Sequence, residues 1–139
     1  MRRTAFVLVF FSLMLLSSCA VMTVPGREVR TADSLFKEKR YNEAVTAYRK
    51  VLRDYPGSSS AAEARYRLAL TLAFYDNPQK DYAQAQQEFE EFLKSYPVHE
   101  KAQEAQNWRQ VLKTLDHLNK SIEELQQLDI KHEEKRKKR

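Results

Sequence analysis

Residues 41–56, YNEAVTAYRKVLRDYP, come back 41 residues later as residues 82–97, YAQAQQEFEEFLKSYP. At that offset Tyr41 meets Tyr82, Ala44 meets Ala85, Tyr48 meets Phe89, Leu52 meets Leu93, and the closing Tyr55-Pro56 meets Tyr96-Pro97. The match runs on into the next segment, where Ala61, Glu63 and Ala64 fall on Ala102, Glu104 and Ala105. A fixed period of this length marks stacked supersecondary units, each too small to bury its apolar face alone. Inside the first copy, Ala44, Ala47, Tyr48, Val51, Leu52 and Tyr55 follow the i, i+3, i+4, i+7 spacing of a helix with one buried face, and Ala85, Phe89, Phe92, Leu93 and Tyr96 repeat it. Further out, Ser60 with Glu63 predicts a capping box opening a helix striped by Ala61, Ala64, Leu68, Ala69 and Leu72. Asp76-Asn77-Pro78 predicts its stop, because proline cannot continue a helix and disfavours helical geometry just before itself.

These residues resemble the tetratricopeptide repeat, a helical hairpin of about 34 residues. The first unit covers roughly residues 28–56 and the second roughly 61–97, with Ala32 and Ala69 where the family has glycine and the loop Asn77 to Lys80 lengthening the second unit. The resemblance implies an all-α fold in which residues 31–97 form two hairpins of a short α-solenoid. It also implies a partner-binding groove on the first helix of each hairpin, nominating Asp33, Phe36, Lys37, Glu63, Tyr66, Leu70 and Phe74; an aromatic there could equally belong to the core. Among lipidated members the pattern is similar to outer-membrane lipoproteins of the β-barrel assembly machinery, which carry about five repeats to the two found here. A role in outer-membrane protein assembly is what that likeness implies.

From Trp108 the apolar residues Val111, Leu115, Leu118, Ile122 and Leu125 alternate intervals of three and four, which is a heptad seam. The spacing predicts a long C-terminal helix over 98–130, followed by a basic tail over 131–139. That helix either caps the open edge of the second hairpin or pairs with another chain in a coiled coil, a homodimer included. Residues 118–139 also resemble the close of envelope lipoproteins that work beside a sensor kinase, so regulation of such a kinase through this helix is the alternative function.

At the other end, Arg2 and Arg3 precede an apolar run from Ala5 to Leu16 of about twelve residues, short of the roughly twenty a membrane-spanning helix needs. Leu16-Ser17-Ser18-Cys19 resembles the lipobox of bacterial lipoproteins. The resemblance implies a signal peptide over 1–18, cleavage after Ser18, diacylglycerol on the Cys19 thiol and a further acyl chain, commonly palmitate, on the new amino group. Ala20, where inner-membrane retention uses Asp, implies an outer-membrane address facing the periplasm, the periplasmic face of the inner membrane being the lesser alternative. Residues 19–30, with Pro25 and Gly26, are expected to be a lipidated tether.

Charge narrows the partners. The formal net charge is +5, but six basic and two acidic side chains crowd into the last nine residues and Arg2 and Arg3 lie in the leader, leaving a body near neutrality. A fold that neutralises several phosphates needs a basic stripe on its surface, so nucleic acid is not an expected partner. His99, His117 and His132 lack the spacing that puts two imidazoles on one metal, no glycine-rich phosphate loop occurs, and Glu88, Glu90 and Glu91 point around a helix. Neither metal, cofactor nor catalysis is expected; the expected function is a membrane-anchored adaptor that binds another envelope protein.

Overall fold

The computed structural model describes residues 24–138; the leader, the lipobox cysteine Cys19 and the start of the tether lie outside the described residues. Five helices follow one another: α1 (Val24–Lys37), α2 (Tyr41–Asp54), α3 (Ser59–Ala73), α4 (Tyr82–Ser95) and α5 (Ala102–Lys137). Each packs on its neighbour in sequence, and α1 also packs on α3. This is the topology of two helical hairpins, α1/α2 and α3/α4, stacked with their first helices side by side and closed by α5. The all-α, repeat-built fold expected from the period is the one observed.

Alanine sets how closely the helices approach. Ala32, Ala44, Ala64, Ala69, Ala85 and Ala105 have no exposed surface, and between them sit Tyr48, Val51, Tyr66, Leu68, Phe89 and Phe92. One continuous cluster runs from Val29 in α1 to Leu112 in α5, so the units share a core rather than holding one each. Asp33 accepts the Tyr48 hydroxyl across the first hairpin, satisfying a phenol that burial would otherwise leave without water.

The turns differ from the sequence expectations in specific ways. Helix α1 already includes Pro25 and Gly26, because proline in a first turn forfeits no intrahelical bond, and Val29 is buried; residues 24–30, expected as part of a tether, are therefore helical. The capping box at Ser60 does not form. Helix α3 starts two residues earlier with Ser58 as N-cap and no side-chain cap bond, while Glu63 turns to the Arg67 guanidinium at 2.6 Å. Helix α3 stops at Ala73, before the Asp-Asn-Pro signal, and Asn77 is drawn inside instead. Its side-chain amide donates to the Thr71 carbonyl at 2.9 Å and its oxygen accepts the Gln79 N–H at 2.9 Å, so the lengthened loop is a hydrogen-bonded plug. Asp81 then caps α4 by accepting the Gln84 N–H.

Between α1 and α2 the chain reverses through Lys39, whose φ of 62° is left-handed without the help of glycine. The Arg40 N–H reaches back to the Leu35 carbonyl at 2.9 Å, closing α1 as a Schellman-type turn. A non-glycine residue in this region costs about 1–2 kcal/mol. Its ammonium in turn contacts Asp76 at 2.8 Å, and Asp76 also accepts the Tyr41 hydroxyl, which ties the loop after α3 to the turn before α2.

Lys39 first and then Tyr41 hold the Asp76 carboxyl below its ordinary value of 3.8. A carboxylate depressed by folding adds stability above that ordinary value and loses it as pH falls through the lower, folded one. Asp76→Asn is therefore expected to flatten the acid limb of stability between about pH 5 and about pH 2. Urea midpoints of the two proteins across that range check it; the pair is exposed, so the change is expected to be small.

Candidate partner-binding groove

Helices α1, α3 and α5 form one wall of the stack, and an apolar groove of about 460 Å³ opens between them. From α1 comes Phe36, from α3 and its end Leu70, Ala73, Phe74 and Tyr75, from α4 Tyr82, and from α5 Glu104, Trp108, Val111, Leu112 and Leu115. Phe36 meets Phe74 edge to face with ring centroids 5.0 Å apart, and Tyr41 backs both rings at 5.4 and 5.6 Å. These contacts preform the aromatic floor, so a ligand would find it largely rigid.

Two sets of residues nominated separately from the sequence meet here. Phe36, Leu70 and Phe74 of the repeat-derived set face Trp108, Val111 and Leu115 of the C-terminal seam across the same opening. The period explains it: shifted by 41, Glu63 falls on Glu104, Leu70 on Val111 and Phe74 on Leu115. The start of α5 is thus the first helix of a third unit. Through Ala105 and Leu112 it docks on α4, capping the second hairpin.

The other nominated residues are placed differently. Asp33 and Glu63 flank Arg67, with Nε–O separations of 3.9 and 2.6 Å, in a charged group on the same helices. Lys37 is exposed at the end of α1. Tyr66 takes the core alternative: it is 2% exposed, its ring packs on Phe89 and Phe92, and the Lys101 ammonium sits 5.4 Å from its centroid. It therefore supports the groove from beneath and offers no surface to a partner. Leu118, Ile122 and Leu125 lie beyond the groove on the exposed part of α5, beside Asp116 and Asn119, which still share a cleft with Tyr82, Gln86 and Glu90 of α4. Helix α5 lies against α4 through Ala105 and Leu112, and its later turns are exposed. The basic segment from Lys131 continues this helix to Lys137.

Glu104 is the charged side chain in the groove wall. The buried Tyr66 hydroxyl faces it without completing a hydrogen bond of full geometry, and burial foremost, then Glu104, pushes the phenol up. Conversely Tyr66, and after it Lys101, hold the Glu104 carboxyl below the usual carboxylate range, so the groove carries a fixed negative charge at neutral pH. Ala73, Tyr75, Tyr82, Leu112 and Glu104 are the lining residues sequence reasoning missed; Glu104 could have been found as the period mate of Glu63. Among the described residues no cluster of His, Cys, Asp and Glu is fit to hold a metal ion. No helix among them is long and apolar enough to cross a membrane.

The sequence pattern of the YfiO family, described as an outer membrane lipoprotein, matches residues 28–138, from α1 to the end of α5. The chain belongs to the YfiO family. Membership supports a localisation in the cell envelope and a role in protein–protein interaction or assembly. Among curated proteins, it is 35% identical over 60 residues to the serine/threonine-protein kinase PknD of Chlamydia pneumoniae and 32% identical over 60 residues to PknD of Chlamydia abortus. In both cases 41% of this chain is covered but only 6% of the kinase. So small a share of those proteins carries no kinase activity over to this YfiO member.

Proposed function

We propose that this protein is an envelope adaptor that binds and does not catalyse. In this reading Cys19 carries the lipid that holds the chain to the periplasmic face of the outer membrane, and the groove between α1, α3 and α5 takes an apolar segment of another envelope protein, in the service of outer-membrane protein assembly. The observation that carries the reading is the convergence of Phe36, Leu70, Phe74, Trp108, Val111 and Leu115 on one preformed apolar opening in a chain of the YfiO family. Surfaces of this kind, rimmed by charge, mark protein–protein contacts.

Two substitutions separate the address from the grip. Cys19→Ser is expected to abolish palmitate labelling and release the chain from the membrane fraction. Leu70→Glu is expected to leave fractionation unchanged and to remove the protein that co-isolates with the wild type in mild detergent. A Leu70→Glu chain that keeps its partner would count against the groove.

A second reading has its own observation. Leu118, Ile122 and Leu125 are 54%, 51% and 62% exposed on the projecting half of α5, a face suited to a helical partner such as the periplasmic domain of a sensor kinase. Truncation after Leu115, which keeps Ala105 and Leu112 in the core, would then abolish the effect on signalling and spare the groove.

A further inference from the structure

Asp116 and Asn119 of helix α5 still share a cleft with α4, but every residue from Lys113 to Lys138 is exposed, and Leu115, Leu118, Ile122 and Leu125 keep an apolar line along it. A helix of this length with no residue buried is marginal in water, and the i,i+4 pair Lys120–Asp116 and the i,i+3 pair Arg136–Glu133 add little. The line calls for a cover. A lipid surface is a poor one along the apolar line itself, because from Lys113 to Glu134 six acidic side chains stand against Lys113, Lys120 and Lys131, the other basic side chains lying beyond the line at 135–139.

We propose that the cover is a second copy of this chain, paired antiparallel through the projecting half of α5. Charge selects the direction. Side by side and parallel, Asp129 would face its own copy at a seam position, and Lys135, Arg136, Lys137 and Lys138 would lie against the same four cations. Antiparallel, with Leu118 opposite Ile122 of the second copy, Leu115 lies opposite Leu125. The seam then brings Arg136 opposite Glu104, whose carboxylate is already held ionised, and sets the two basic ends apart. Leu115, Leu118, Ile122 and Leu125 of each copy are matched with apolar residues, Val111 and Trp108 lie opposite Asp129 and His132, and like charges meet nowhere on the seam.

The arrangement has a consequence for the groove. The end of one copy passes Val111 and Trp108 of the other, so self-association covers the groove mouth and competes with a docked segment. The pairing stands apart from the adaptor reading, since either surface could be occupied without the other.

Disulfide trapping of the full-length chain in the bacterial envelope tests it. Leu115→Cys and Leu125→Cys are made singly and together; both positions are exposed, so neither substitution disturbs the core. Within one helix the two lie about 15 Å apart and cannot bridge. The antiparallel pair predicts that mild oxidation drives most of the double variant to twice its mass, while each single variant stays monomeric. Self-crosslinking of each single variant would show parallel pairing and overturn the proposal. Absence of a crosslink, in protein whose thiols still react with a maleimide, would overturn self-association, as would a mixed disulfide to a different protein.

Discussion

Phe92→Ala is expected to destabilise the domain by about 3–5 kcal/mol, a large share of the roughly 5–15 kcal/mol that holds a domain folded. Phe92 has no exposed surface, and its ring lies 5.7 Å from Tyr66 of α3, 5.6 Å from Tyr96 and 5.4 Å from the His99 ring on the path into α5. One side chain thus holds α3, α4 and the entry to α5 together, and a cavity there cannot collapse without moving a helix. The loss should reach the groove, because α5 supplies one of its walls. Urea unfolding followed by circular dichroism measures it, with Leu125→Ala as the comparison. Leu125 projects into solvent, and in a monomer its truncation is expected to change stability by less than about 0.5 kcal/mol. Equal effects from the two would mean that the packing described between α3 and α4 is wrong.

Trp108→Ala is expected to weaken partner binding by about 30-fold or more, the loss of roughly 2 kcal/mol that marks an aromatic anchor. Trp108 is the single tryptophan of the chain and is 37% exposed in the groove wall, so much of its ring remains for a ligand to bury. The residues that lock α5 to the core are Ala105 and Leu112, which leaves the fold little dependent on the indole. Titration of the co-isolating partner against wild type and variant checks the affinity, and circular dichroism checks that the helices persist. A variant that binds as the wild type does would place the contact elsewhere.

How far the sequence alone reaches differs from element to element. Helices α2 and α4 were legible almost to the residue, since both open on the tyrosine of the period and bury one face at helical spacing. The beginning of α1 was not, because Pro25 and Gly26 read as breakers when considered alone, whereas a first turn tolerates both. Helix α3 shows a deeper limit. It is sandwiched among α1, α2 and α4 and buries Ala61, Ala62, Ala64, Tyr66, Leu68 and Ala69 around more than one face, so periodicity could not separate core-facing Tyr66 from groove-facing Leu70. Half of the groove was similarly hidden. Trp108, Val111 and Leu115 were recognisable as an apolar seam, but their meeting with Phe36 and Phe74 depends on the stacking of three helices distant in sequence. Asn77 looked like part of a stop signal, and its burial as a plug could be known only once the loop had a shape.

A photo-activated crosslinker placed at Leu70 in the living cell, with Ala83 on the exposed side of α4 as its counterpart, tests the groove most directly. Position 70 is predicted to capture one envelope protein reproducibly, and position 83 to capture none. Adducts at 83 with an empty lane at 70 would contradict the assignment of the α1, α3 and α5 face as the binding surface.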